Sequence, residues 1–341
     1  MIHIPDTIEI NDDIRRLTSV VCHSLSDVPD IIDTWNEGKV ADVEGYYENA
    51  KINRVYVDRV HVKKAFAEYT AAYNADDTKI KLKIDHTYRV AALCERIAKA
   101  AGMCAYDVEL AWLSGMLHDV GRFEQIKRYN TFSDADSVDH AKFGADLLFK
   151  DGLISTFLNG MVKCTGYKPG ALENRYSSDG VFLYDRLNKS DMEMLELAIR
   201  CHNMYRIPQG LNSREQAFCN VLRDADKVDI FKVNIDTPLE EIYNTTTEEL
   251  MKSDITDEVL EAFDEEHCIL KAIRRTPADT VIGHVSLAYE LVYDESVRIT
   301  VEQGYLAKLM HFHSDNEETN RKMAMVREKM DSYVKKRIGE N

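Results

Sequence analysis

Glycine and proline are scarce in this chain, at 15 and 6 of 341 residues. That is roughly half of average usage, and so few turn-forming positions point to long helices. No run of 18 apolar residues occurs. No segment is therefore expected to span a membrane. The start, MIHIPDTIEINDD, lacks a cationic stretch followed by an apolar one, so no export signal is expected and the protein is placed in the cytoplasm. There is no C-x-x-C pair. The seven cysteines are scattered and odd in number, and read as reduced thiols rather than a disulfide framework or a zinc knuckle. Positive charge is also in short supply: 43 Lys plus Arg against 59 Asp plus Glu give a formal charge of −16. A surface built for nucleic-acid polymers or anionic lipid needs clustered cations and is not expected here, although a cationic pocket for a small phosphate is still allowed.

What is present is a core-forming composition, 45% hydrophobic, with helical periodicity from about residue 58 onward. Residues 1–57 carry only short apolar clusters and read as an accessory segment. Val62, Phe66, Tyr69 and Tyr73 form one helical stripe. The next helix covers about 80–101, with His86, Val90, Leu93 and Ile97 on one face. A third covers about 107–120 and is expected to end with Gly121 at its C′ position. A fourth starts near Ser137 and carries His140, Gly144, Leu147 and Leu148. Residues 164–189 read as a long connection, a candidate rim. Ser190 with Glu193 and Ser213 with Gln216 have capping-box spacing. The helices they open carry Leu195, Ile199 and His202, then Cys219, Leu222, Asp226 and Ile230. Helical pattern continues over about 256–266, 278–311 and 318–338. The fold class expected is all-α.

Against this background one ordered set stands out: His86, His118 with Asp119, His140, His202 and Asp226, separated by 32, 21, 62 and 24 residues. Each position falls on its own helix, on an apolar or small-residue face, and facing helices of a bundle build metal sites in this way. The His118–Asp119 pair closes its helix, where exposed carbonyls favour a cation. Its neighbouring side chains point about 100° apart and can reach two centres. Ser114 and Gly115, one turn earlier, are small enough to leave room for ligands.

These residues resemble the HD-domain superfamily of metal-dependent phosphohydrolases. His86…His118-Asp119…Asp226 matches the H…HD…D signature. HDVGRFEQ and RDADKVDIF look like that family's second and last motifs. His140, in VDHAKFGA, and His202, in IRCHN, match the two extra histidines of its six-ligand, two-metal subgroup. The resemblance covers about residues 58–235. It implies an HD metal-binding core there, a helical bundle, with residues 236–341 as a C-terminal helical extension packed on it. Carried over by position, His86, His118 and Asp226 would hold one metal, His140 and His202 the other, and Asp119 would bridge. Asp224 also lies near the last motif; Asp226 is preferred because it shares a face with Leu222 and Ile230. There is one departure: HNMYRIPQG follows Cys201, with Asn203 where a second histidine would stand and no Gly-Tyr-Pro. Cyclic-dinucleotide hydrolysis of the HD-GYP kind is therefore not expected.

Four imidazoles and two carboxylates suit two divalent transition ions (Fe, Mn, Zn, Co or Ni) better than Mg or Ca. The implied chemistry is hydrolysis of a small phosphate ester, a nucleotide or dinucleotide, by a hydroxide shared between the metals. Asp119 would be catalytic as the bridge, with Lys227 and Arg122 as candidate clamps on the phosphate. Two other classes stay open: a mixed-valent di-iron oxygenase of the same fold, and a non-catalytic metal-binding regulator. Tyr129, Phe132 and Tyr167 are candidates for stacking on a base. Cys201 reads as a buried thiol, His284 as a packing or surface residue, and His311 and His313 as exposed.

Overall fold

The computed structural model describes residues 54–55, 57–158, 182–183, 187, 189–243 and 245–339. Nearly all of the accessory segment 1–57, and most of the 164–189 connection with Tyr167, lie outside the described residues. The chain divides into two compact units, residues 1–56 with 161–186 and residues 57–160 with 187–341. In the first unit the described part is a parallel pair of two-residue strands, β1 (Arg54–Val55) and β2 (Phe182–Leu183).

The second unit is all-α, and its centre is a helical hairpin. α1 (Arg59–Thr70) opens on Asp58, whose carboxylate accepts the His61 amide, and buries Val62 and Phe66. α2 (Thr78–Ala100) buries the stripe His86, Val90, Leu93 and Ile97. α3 (Ala105–Leu117) buries every residue from Leu110 to Leu117, so it is a core helix rather than an amphipathic one. α4 (Val120–Tyr129), α5 (His140–Ala145), a π turn (Asp146–Lys150) and α6 (Ile154–Phe157) follow. α7 (Lys189–Cys201) packs on α5, and the 24-residue α8 (Ser213–Asp236) packs on α2, α3 and α7. Beyond it come α9 (Leu239–Tyr243), α10 (Thr247–Lys252), α11 (Asp257–Asp264), α12 (Pro277–Val285), α13 (Asp294–Gln303), α14 (Tyr305–Met310) and α15 (Glu317–Ile338).

Several expected boundaries move, each for a physical reason. Gly121 is not a C′ residue. The chain turns at His118–Asp119 and Gly121 lies in the first turn of α4. A Cβ there would come within 2.6 Å of the Gly144 amide nitrogen, so Gly121 is needed for the close approach of α4 and α5. Gly121→Ala should therefore cost about 2–3 kcal/mol of stability through forced overpacking, read from urea denaturation. An unchanged midpoint would show that the two helices separate freely. Likewise, the space at Gly115 is filled by the Ala91 backbone of α2, not left for ligands. α5 starts at His140 rather than Ser137, capped by Asp139. Ser190 lies inside α7. α8 is capped one residue earlier than expected, by an Asn212–Glu215 box.

The expected continuous helix over 278–311 is broken. Thr276 and Asp279 form a capping box with Pro277 at the first helical position of α12, and Gly304, at φ 70°, ends α13. Between them, Asp224 of α8 is fully buried under the break. Its carboxylate accepts the Val292 and Tyr293 amides at 2.9–3.0 Å and the Ser296 hydroxyl at 2.7 Å. Asp224 is thus spent on the start of α13. Among the described residues, no helix is long and apolar enough to cross a membrane.

Candidate metal centre

The six side chains singled out in the sequence converge. His86 comes from the middle of α2 and Asp226 from the middle of α8. His118 and Asp119 form the turn between α3 and α4, His140 opens α5, and His202 immediately follows α7 rather than lying on it. Asp119 occupies the N-cap position of α4, where an aspartate ordinarily accepts an amide of the first turn, yet its side chain makes no cap hydrogen bond. It is turned inward instead. Its Oδ2 lies 3.5 Å from the Nε2 atoms of both His86 and His118. Its Oδ1 lies 3.5 Å from His140 Nε2 and 3.8 Å from His202 Nε2. Asp226 Oδ1 lies 3.2 Å from His86 Nε2 and 3.9 Å from His118 Nε2. One carboxylate therefore faces two histidine pairs, one oxygen to each.

The second ring nitrogens fix the tautomers. His86 Nδ1 is 2.6 Å from Asp229 Oδ2, and His140 Nδ1 is 2.7 Å from Asp134 Oδ2. His118 Nδ1 is 2.8 Å from the Gly115 carbonyl, and His202 Nδ1 is 2.7 Å from the Ile199 carbonyl. All four partners are acceptors, so each Nδ1 carries a hydrogen and each Nε2 presents a lone pair to the centre. His86 and His118 Nε2 are 3.3 Å apart and His140 and His202 Nε2 are 3.0 Å apart, with no hydrogen left to share. A cation between each pair relieves that repulsion. Five of the six donors fall into two groups, His86–His118–Asp119 and Asp119–His140–His202, each compact enough for one ion, and Asp226 stands just outside the first. Nitrogen and oxygen in this ratio fit borderline transition metals.

The electrostatics hold most of the donors in the right protonation states. Burial and Arg122 push His140 down to about 4, and burial and His118 push His202 down to about 4. Burial also lowers His118. Burial would raise Asp119, but Lys83, His118, His140 and Arg122 outweigh it and hold the carboxyl well below the usual range. Near neutral pH His118, His140 and His202 are thus neutral imidazoles and Asp119 an ionised carboxylate, the forms that bind metals. His86 differs: burial and Lys83 would lower it, but Asp226 and Asp229 outweigh them and raise it.

Four contributors are absent from the sequence reading. Asp229 orients His86 and is itself clamped by both ends of the Arg89 guanidinium at 2.6 and 2.9 Å. Asp134 orients His140 and also accepts from Arg122 at 2.9 Å. Lys83 donates to Asp119 Oδ2 at 2.7 Å. Asp229 and Lys83 each lie three residues from a ligand on the same helix, a spacing that could have flagged them. Asp134 lies in an irregular segment and carries no such signal. Asp134→Asn should weaken the ion at His140 and His202 about 10–100-fold, measured by competition with a chelator. Unchanged affinity would show that Asp134 does not orient His140.

The centre opens into a cavity of about 510 Å³ whose lining includes Lys83, Arg122, Asn203 and Lys227. Arg122 is largely committed: one Nη reaches Gln125, Phe132 and Asp134, while its buried Nε, 3.8 Å from Asp119, makes no hydrogen bond. Lys227 is buried, and burial with the nearby Arg223 pushes its ammonium down to about 8. His284 is neither surface nor simple packing; it lines the cavity. The stacking candidates fare less well. Tyr129 is exposed, and the Phe132 ring lies near two cations, Lys83 and Arg122, with neither aromatic lining the cavity. Tyr205 does line it. Cys201 is buried and its thiol is raised by that burial, while His311 and His313 are exposed.

Residues 84–232 match the family model of the HD domain. No curated protein and no solved structure matches the chain. All six convergent side chains fall inside the matched stretch, on an all-α scaffold with a histidine–aspartate cluster of the kind that holds divalent metals. Over residues 84–232 this chain therefore carries an HD domain.

Proposed function

We propose that this protein is a metal-dependent phosphohydrolase for a small phosphate ester, a nucleotide or dinucleotide. His86, His118 and Asp226 would hold one divalent ion, His140 and His202 the other, and Asp119 both. The observation that carries this reading is the division of the Asp119 oxygens between two histidine pairs. When bound, two such ions supply Lewis acidity, lowering the pKa of the attacking water and neutralising charge on phosphoryl oxygens.

The chain's own residues do the rest. Lys83, Arg122 and Lys227 place positive charge along the cavity wall, where it attracts and orients phosphoryl oxygens. Burial raises the Cys201 thiol, so it is not an activated nucleophile. A cavity of about 510 Å³ falls within the range of roughly 300–1,000 Å³ typical of small-molecule sites, which suits a nucleotide. The test is elemental analysis of protein purified without chelator, then a screen of nucleotides and dinucleotides with and without dioxygen. Two ions per chain and phosphate release lost on chelation are expected. Dioxygen uptake coupled to turnover, or no hydrolysis by the two-ion protein, would overturn the reading.

A further inference from the structure

The cavity has a second wall, and part of it comes from outside residues 84–232. Arg274 and His284 line the same cavity as the metal centre. Arg274 donates to the Ile269 carbonyl, and its Nε is buried with no partner. Its guanidinium lies directly over Gly283, where a Cβ would come within 2.6 Å of Nη1 and closer still to Cζ. A side chain at 283 would expel it, so the chain keeps a place for this cation. His284 Nδ1 is also buried without a partner, and burial with Arg274 pushes the ring down to about 3, leaving it neutral.

Two more cations face the cavity from α8. Lys227 Nζ has only the Arg223 carbonyl, at 3.4 Å. Arg223 is buried and spends its guanidinium on the carbonyls of Cys201, Met204 and Tyr205. Among the described residues, none of Arg223, Lys227 and Arg274 forms an ion pair, whereas Arg59, Arg89, Arg96 and Arg214 all do. Glu290 also lines the cavity, but it accepts the Cys268 amide and lies near His267. Asp224, Asp226 and Glu290 act on Lys227 and Asp279 acts on Arg274, but none of them lies within ion-pair distance. In a chain of formal charge −16, Lys227 and Arg274 are thus left open to an anion in the cavity. Ile230, Ile269 and Leu287 give the same cavity apolar surface.

We propose that Arg274 and Lys227 form a second anion subsite. The substrate is then a phosphate ester that carries a further anionic group, a phosphate or a carboxylate, joined through an apolar or sugar-like spacer. This rests on the phosphohydrolase reading, which supplies the first phosphate's place at the metal centre.

The test uses non-hydrolysable probes on the metal-loaded full chain, with binding read by calorimetry. Alkylphosphonates are compared with alkanediphosphonates and phosphonocarboxylates of equal spacer, over a series of spacer lengths. At the best length, at least one doubly anionic probe should bind about tenfold or more tighter than its alkylphosphonate. Arg274→Met, which keeps the volume, and Gly283→Ala, which displaces the guanidinium, should each reduce that advantage to about threefold or less. Which probe gains more tells phosphate from carboxylate. No advantage in the wild-type protein, or an advantage surviving both substitutions, overturns the subsite. If alkylphosphonates bind only with metal present and the second anion adds nothing, the subsite alone is wrong. If the doubly anionic probes bind through Arg274 without needing metal, the subsite stands and the phosphohydrolase reading falls.

Discussion

Asp119→Ala should abolish phosphate-ester hydrolysis, with a loss of at least about 10³-fold in kcat/KM, on the order of 4 kcal/mol of transition-state stabilisation. Among the described residues, no other carboxylate lies within 4 Å of both histidine pairs. Asp226 comes within 4 Å of His86 and His118, at 3.2 and 3.9 Å, but not of the other pair. On the proposed two-ion arrangement, removing Asp119 would deprive both ions of a ligand and unlink them. It also strands the Lys83 ammonium, which is 2.7 Å from Asp119 Oδ2 and only 16% exposed. Some stability will be lost with it, so thermal melts must accompany the kinetics. Asp119→Asn separates the two effects, since it keeps shape and one acceptor oxygen but not the charge. Both variants should be inactive while folded. Wild-type rates in either would refute the bridging role.

The second large effect is on stoichiometry. His140→Ala or His202→Ala should lower metal content from two ions per chain toward one, because that pair meets only one carboxylate oxygen, Asp119 Oδ1, at 3.5 and 3.8 Å. With one imidazole gone, two donors remain, too few to hold a divalent ion against water. The ion at His86, His118 and Asp226 should persist. Elemental analysis still finding two ions would mean that the six-residue assignment is wrong. His140→Ala leaves Asp134 facing Arg122, Gln125 and Asn203, so the loop around 134 keeps its other ties and the fold should survive.

The six convergent residues were legible because each breaks an otherwise apolar or small-residue face, and because their order matches a known signature. What shared their helical register was legible in principle: Asp229 follows Asp226 by three residues and Lys83 precedes His86 by three. What depends on distant partners was not. Asp134 sits between helices with no period to betray it. The break near 292 is imposed by Asp224, 68 residues away, whose carboxylate substitutes for a local cap. Gly121 has the look of a stop in the sequence, because a glycine after a periodic run usually is one. Its actual partner, Gly144, lies on another helix. The Arg274 wall was invisible for the same reason, since the cavity joins it to ligands more than forty residues earlier in the chain.

The tautomer anchors have an electronic consequence. Each histidine pair contains one imidazole backed by a carboxylate (His86 by Asp229, His140 by Asp134) and one backed by a main-chain carbonyl (His118, His202). Imidazoles polarised by carboxylates are the stronger donors, so each pocket has one such nitrogen. Their surroundings differ, since Asp226 and Asp229 raise His86 while burial and Arg122 lower His140. Asp226 further adds anionic charge beside His86 and His118, at 3.2 and 3.9 Å. Stripping should thus proceed stepwise, the His140–His202 ion leaving first. Refilling that vacancy with a different element would give a heterobimetallic protein in which each position can be assigned its own spectroscopic signal.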